Sequence, residues 1–375
     1  MRIIHVVRNI EYIGGTEKFL ISLLGKWYEK FSEDEIFLIC TEGVGPVAKD
    51  LSKKYKFKVI NFPIKWYNPV CIFRFSFKLK SLYPDIVHTH LFQADFPGII
   101  ASKLAGLKVV STKYCQFSRA IEKNTKIERH LVKPISDYIL ESLLSFLTDK
   151  VIVVSKESAN YFLKRNYKIS KMSVIPCCHI GIKDSLFDIP MRKLWKNHKI
   201  RIGAISRLVP EKGIDNLLYI FSKLYFKYRN IELFIAGDGF LKESLEKQAV
   251  SLGITEGVHF LGYVKDINNF LRNIDIFLFT SHSEGFPLAI QEAMAAGKLV
   301  VSTRVGGIKE LIEYGKSGIL YEDGDNHKAV SLLEYLINKP ILAQKLASNA
   351  RKKILSIYNL DQVAESIRNI YISLN

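Results

Sequence analysis

Short runs of β-branched and aliphatic residues recur along this chain, each followed by apolar positions at helical spacing, and the whole alternation runs through twice. A strand, a helix and another strand in succession commit a chain to a parallel sheet, because only a crossover of that length returns the next strand in the same direction. In the first run we expect strands at Arg2–Val7, Ile36–Cys40, Lys58–Ile60, Asp85–Thr89, Val109–Thr112, Val151–Val154 and Val174–Pro176. Gly14-Gly15 leads from the first strand into an apolar-periodic helix over Thr16–Tyr28, and a further helix is expected over Pro97–Ala105. The second run places strands at Ile200–Ser206, Ile231–Ala236, Val258–Leu261, Ile274–Thr280, Leu299–Thr303 and Ile319–Leu320. Residues 183–199 between the runs are polar, contain Pro190 and lack periodicity, which marks a linker. The expected fold class is α/β. Two doubly wound Rossmann-like domains, residues 1–190 and 191–360, precede an amphipathic closing helix over 361–375. A chain of 375 residues agrees with two domains, since a single core stops growing at roughly 250–300 residues.

Composition excludes several classes. Hydrophobic residues at 48% and charged ones at 24% suit packed cores rather than disorder. The best candidate for a membrane span, Tyr138–Ser155, is interrupted by Glu141, Asp149 and Lys150. Ile3–Val7 is too short for the apolar region of a signal peptide, so a cytoplasmic protein is expected. Cys40, Cys71, Cys115, Cys177 and Cys178 show no paired C-x-x-C spacing, and neither a disulfide framework nor a zinc site is indicated. Adjacent Cys177, Cys178 and His179 point to alternate faces of an extended segment, which makes joint ligation of a metal awkward.

The net charge of +17 is uneven: residues 1–195 hold 31 Lys and Arg against 18 Asp and Glu, the remainder 23 against 19. Residues 51–80 carry Lys53, Lys54, Lys56, Lys58, Lys65, Arg74, Lys78 and Lys80 with no acid, interleaved with Phe57, Phe62, Trp66, Tyr67, Phe73, Phe75 and Phe77. That mixture suits an anionic membrane surface; the plainer alternative is a solvated basic face with the aromatics in the core.

In open α/β sheets ligands bind beyond the carboxyl ends of the strands. In the second half those positions are Arg207 with Lys212-Gly213, Gly237-Asp238-Gly239, Gly262-Tyr263-Val264, Ser281 to Pro287 with Glu284, and Arg304 to Gly307. Arg207 and Lys212 flank a turn into a helix whose first N–H groups are free, the chemistry that a diphosphate needs. Pro287 at the first helical position leaves the N–H groups of Phe286 and Leu288 for an anion or sugar oxygens. Glu292, inside an apolar helix, is suited to accept both hydroxyls of a ribose.

These residues resemble the retaining family 4 glycosyltransferases, also called glycosyltransferase group 1, of the GT-B fold. The resemblance rests on ISRLVPEKGIDNLL (205–218), LFIAGDG (233–239), VHFLGYV (258–264), SEGFPLAIQEAMAAGKLVV (283–301) and VGGIKELI (305–312), with IGGTEKFL (13–20), PDIVHTH (84–90) and VIVVS (151–155) in the first half. It implies two domains facing across a cleft and transfer of a sugar from a nucleotide-diphosphate donor to an acceptor hydroxyl. It further implies that Arg207 and Lys212 hold the diphosphate, Glu292 the ribose and Glu284 the transferred sugar. Phe286, Pro287 and Leu288 would line the sugar and phosphate site, Gly237 would belong to the donor-binding set, the backbone near Val264 would meet the base, and Gly15 would close over the diphosphate. No metal or other cofactor is implied, so Asp323-Gly324-Asp325 reads as a turn rather than a metal-binding D-x-D.

Two segments depart from the family pattern. Tyr114 occupies the slot in VVSTKYC (109–115) where many members carry a catalytic His, which leaves His90 as the candidate at a strand end, with His88 beside it. IPCCHIGI (175–182) stands where an Asn-Gly segment is usual. The expected activity is a hexosyl or related transfer in cell-surface polysaccharide or glycolipid assembly, lipopolysaccharide among them. Its partners would be a glycan or lipid-linked acceptor and an anionic membrane surface, with the enzyme peripheral on the inner face. A GT-B nucleotide-sugar epimerase and a basic nucleic-acid-binding protein are the alternatives. No RNA or DNA motif arranges the cations, and nucleic acid is not an expected partner.

Overall fold

Ile3, Ile4, Val6 and Val7 are all buried, as in a strand covered on both faces, and the strands over 35–40, 86–90 and 109–113 repeat the pattern. The structure is a computed structural model describing residues 1–375 apart from 11–13, 56, 66–67, 115–132, 181–184, 192–194, 196–198, 229 and 358. Two units emerge, residues 1–116 with 126–179 and 360–375, and residues 180–359 with 117–125.

The first unit holds strands β1 (Arg2–Val7), β2 (Glu35–Cys40), β3 (Lys58–Asn61), β4 (Ile86–His90), β5 (Val109–Lys113), β6 (Lys150–Val153) and β7 (Met172–Val174). They form one parallel sheet in the order β3-β2-β1-β4-β5-β6-β7. Its helices are α1 (Gly15–Lys30), α2 (Pro46–Tyr55), α3 (Pro69–Ser81), α4 (Phe92–Leu104), α5 (Lys133–Leu147) and α6 (Lys156–Leu163). The strands' two-residue period sorts the faces. Ile4, Val6, Val87 and Val109 join Ile72, Phe75, Ile99 and Leu144 of α3, α4 and α5 in one core. His5 and His88, paired in register across β1 and β4, lie with His90 on the other face, against Tyr371 and Tyr114.

The second unit holds β8 (Ile200–Ile205), β9 (Ile231–Ala236), β10 (Val258–Gly262), β11 (Ile276–Phe279), β12 (Leu299–Thr303) and β13 (Ile319–Tyr321), parallel in the order β10-β9-β8-β11-β12-β13. Its helices are α7 (Ile214–Lys227), α8 (Lys242–Ser251), α9 (Ile267–Arg272), α10 (Leu288–Ala295), α11 (Ile308–Leu311), α12 (Asn326–Ile337) and α13 (Pro340–Ile357). Leu217, Leu218, Phe221 and Leu224 of α7 pack with Ile202, Leu233, Ile235 and Leu278 of the sheet.

Three boundaries differ from expectation. The units divide at His179 and Ile180 rather than at 190. Leu186 and Ile189 are buried in the polar stretch, and Arg351 donates to the Ile189 carbonyl, so apolar anchors hidden by their polar neighbours tie it to the second unit. The closing helix, α14 (Leu360–Ile372), is part of the first unit rather than a separate segment. Tyr371 packs on Trp27, and Arg368 bonds Glu33 and Asp34. Helix α4 begins at Phe92, so Pro97 lies inside it, where the ring removes the N–H that would otherwise bond the Gln93 carbonyl.

Candidate functional site

The carboxyl edge of the second sheet gathers the residues singled out from the sequence. After β8 the chain makes a single 3-10 turn at Pro210–Lys212, and Gly213 follows with φ +60°. A Cβ at Gly213 would lie 2.3 Å from the Thr280 carbonyl, so only glycine lets this turn close against the end of β11. Lys212 is thereby aimed at Glu284: its Nζ donates to Oε1 at 2.6 Å, and their side chains are 17% and 10% exposed. Arg207, in contrast, is 69% exposed and pairs with Glu211 at 3.2 Å.

Backbone proximity holds the other loops together. Gly237, at φ +146°, donates its N–H to the Gly262 carbonyl, and a Cβ there would stand 1.7 Å from the Ser206 carbonyl. Gly306 is as constrained, since a Cβ there would stand 1.7 Å from the Glu284 carbonyl, and Gly307 N–H bonds the Gly285 carbonyl at 3.0 Å. The glycines of the motifs thus fix the strand-end loops against one another. Val264 lies half-buried on the loop after β10. Phe286, Pro287 and Leu288 are buried where α10 begins, with Pro287 as its N-cap rather than its first helical residue. Glu292 lies inside α10 at 4% exposure.

One pair escaped the sequence reading. His282 Nδ1 bonds Asp323 Oδ1 at 2.8 Å, and its backbone N–H bonds the Glu211 carbonyl at 2.9 Å, which joins the turn after β13 to the loop after β8. Forty-one residues separate the partners, beyond any local pattern. Asp323-Gly324-Asp325 is a turn as expected: Gly324 has φ +84°, and Asp325 caps α12 through the Lys328 N–H.

Two family models match the chain, "Glycosyl transferases group 1" over residues 188–353 and "Glycosyltransferase Family 4" over 13–178. The chain belongs to the group 1 glycosyltransferases. It is 27% identical over 243 residues to the Staphylococcus aureus capsular polysaccharide biosynthesis glycosyltransferase CapM, covering 62% of this chain and 64% of that one. To the Escherichia coli UDP-Gal:alpha-D-GlcNAc-diphosphoundecaprenol alpha-1,3-galactosyltransferase it is 28% identical, covering 79% and 77%. The crystal structure of Anabaena HepE with UDP-glucose superposes at a TM-score of 0.79 over all of both chains, with 20% identity, and shares the GT-B fold.

In the first unit of this glycosyltransferase, Gly15 opens α1 beyond β1. His90 is 1% exposed and both its ring nitrogens are engaged, Nε2 with His5 Nδ1 at 2.9 Å and Nδ1 with the Tyr114 hydroxyl at 2.7 Å. It therefore offers no free nitrogen and acts on the orientation of Tyr114. His88 bonds Tyr371 and, at 2.7 Å, Thr112, a structural role. Burial drives the His5 pKa down to about 3 and holds His88 and His90 well below the ordinary histidine value, so all three rings are neutral. Burial also pushes the Tyr114 phenol up, and it stays protonated.

These three histidines form a set with metal-ligand spacing, their ring nitrogens within 4.8 Å of one another. The 2.9 Å between His5 and His90 is a proton-bearing contact, shorter than the about 3.3 Å that two nitrogens take on one tetrahedral zinc. Cys177, Cys178 and His179 are buried, and burial raises the Cys177 thiol well above its usual value, which disfavours the thiolate that a metal requires. Cys115 lies outside the described residues. A second cluster also went unforeseen: Lys113 is buried with Asp95 at 2.8 Å and Glu141 at 3.6 Å. Burial opposes its charge, yet the two carboxylates prevail and raise its pKa.

Proposed function

We propose that this enzyme moves a sugar, with retention of anomeric configuration, from a nucleotide-diphosphate donor to a hydroxyl of a glycan or lipid-linked acceptor in cell-surface polysaccharide or glycolipid assembly, lipopolysaccharide included. The observation that carries the reading is the sheltered Lys212–Glu284 pair beside exposed Arg207, at the N-terminal end of α7. A diphosphate arriving there competes with Glu284 for Lys212 and completes its coordination with Arg207 and the first N–H groups of α7. Glu284, released from the lysine, turns to the hydroxyls of the transferred sugar, while Glu292 receives the ribose and the loop of Val264 the base. As the sugar–phosphate bond breaks, negative charge grows on the departing diphosphate, and the two cations stabilise it. The diphosphate oxygen takes the acceptor proton on the same face, which retains the configuration. In the first unit His90 holds the Tyr114 hydroxyl in place.

The activities of the capsule and diphosphoundecaprenol enzymes support this setting. Among the described residues no helix is long and apolar enough to cross a membrane; an anionic membrane surface at the cytoplasmic face is the proposed partner. Family membership disfavours a nucleic-acid-binding role, and an epimerase would release free sugar without an acceptor.

Proton NMR of the product anomer tests retention: one anomer matching the donor's supports the reading, and the opposite anomer contradicts it. Activity is expected to survive EDTA, because side-chain cations and a helix end already neutralise the leaving group. Complete loss in EDTA, restored by manganese or magnesium, would assign Asp323 and Asp325 a metal after all.

A further inference from the structure

Helix α3 has two faces with different surroundings. Ile72, Phe75 and Leu79 are buried against the sheet, whereas Val70, Phe73 and Phe77 stand 63%, 54% and 60% exposed on the opposite side. Helix α5 repeats the arrangement, with Leu144 buried and Ile139, Leu143 and Phe146 exposed. The spacings 70, 73, 77 and 139, 143, 146 each trace one side of a helix. Between the two lies α4, which packs against both, contributes to the same core and exposes Leu104 outward. The two stripes therefore belong to one outward surface of the first unit, and an apolar surface of this extent on a water-soluble chain marks an interaction site.

Charge selects the occupant. Among its apolar positions α3 carries Arg74, Lys78 and Lys80 and no acid. Among the described side chains the acids on the neighbouring elements are engaged, Asp149 with Lys103, Asp95 with Lys113 and Glu141 with Tyr167 and Lys113. A second copy meeting this face across a two-fold axis would set its cations against their own images. An anionic bilayer accepts both kinds of group, rings at the acyl boundary and cations among the phosphates.

We infer that this face of α3, α4 and α5 is the membrane-docking surface, with Phe73, Phe77, Leu143 and Phe146 inserted among the lipids of an anionic phospholipid bilayer and Arg74, Lys78 and Lys80 on its phosphates. The inference rests on the proposed membrane partner and names the part of the chain that meets it. It shifts the contact away from Lys58, which Glu35 neutralises, and from Phe57 and Phe75, which are core residues. Trp66 and Tyr67 lie outside the described residues.

Co-sedimentation with extruded vesicles of phosphatidylglycerol and phosphatidylcholine, against vesicles of phosphatidylcholine alone, tests it. The wild type binds the anionic vesicles preferentially. Phe73→Ser with Phe77→Ser, and Leu143→Ser with Phe146→Ser, each lower the partition by about tenfold or more. Arg74→Glu with Lys78→Glu removes the preference for the anionic lipid. Because Phe73, Arg74, Phe77, Leu143 and Phe146 are exposed and Lys78 is only half-buried, the variants keep the wild-type melting temperature and hydrolyse donor in solution at the wild-type rate; donor hydrolysis thereby tests the transferase reading separately. Unchanged partition in both apolar pairs overturns the inference, as does equal binding to neutral vesicles. A wild-type dimer in light scattering that the serine pairs convert to monomer assigns the face to self-association and also overturns it.

Discussion

Replacing Lys212 by alanine lowers sugar transfer by about 10²–10³-fold, the loss typical of one preorganised donor to a developing oxyanion, and also destabilises the second unit. The sequence alone suggests a loop cation whose removal leaves the fold untouched. The structure corrects this, because Lys212 is the partner of a carboxylate only 10% exposed. Deleting the lysine strands Glu284 in a site that water reaches poorly, at a cost of about 1–3 kcal/mol. Arg207→Ala lowers transfer comparably yet changes stability by no more than about 0.5 kcal/mol, since its side chain is 69% exposed. Urea unfolding of both variants beside their turnover separates the roles. Stability restored by adding Glu284→Gln to Lys212→Ala confirms the stranded carboxylate, and equal stability of Lys212→Ala and wild type refutes it.

Acid weakens the first unit sharply below pH 6.5. His5, His88 and His90 are buried and neutral in the fold, with pKa values pushed down chiefly by burial, that of His5 to about 3. In the unfolded chain each titrates near 6.5, so between about pH 6.5 and 3 the unfolded state binds more protons and stability falls as pH falls. From pH 7.5 to 5.5 each neutral histidine costs on the order of 1 kcal/mol, and the cluster correspondingly more. Hydrogen exchange of the β1 and β4 amides is the suited probe, because two units need not unfold as one transition. Opening free energies that stay constant from pH 7.5 to 5.5 would contradict the assignment of three neutral rings.

The alternation of strand and helix disclosed both sheets, because β-branched runs buried on two faces leave a period that survives without tertiary context. The glycine turns were legible for a related reason. Gly213, Gly237 and Gly306 occupy positions where a Cβ would collide with backbone, and such requirements leave one residue type. What escaped depends on long-range contact. His282 meets Asp323 and Lys113 meets Asp95 and Glu141 across separate elements, and no local spacing announces such pairs. The basic window over 51–80 was visible, but its division into buried Phe75 and exposed Phe73 and Phe77 follows from which side of α3 meets the sheet. His90 was noticed at its strand end, whereas its enclosure between His5 and Tyr114 came only with the pairing of β1 and β4 and the end of β5.

The most direct test of the central claim is a thermal-shift panel of nucleotide-diphosphate sugars on the wild type, Arg207→Ala and Lys212→Ala. A bound donor at a hundred times its Kd stabilises the folded state by about 2.7 kcal/mol. The account predicts that at least one donor raises the wild-type melting temperature and that both alanine variants lose most of that shift. No shift with any nucleotide-diphosphate sugar, or an undiminished shift in both variants, would contradict it.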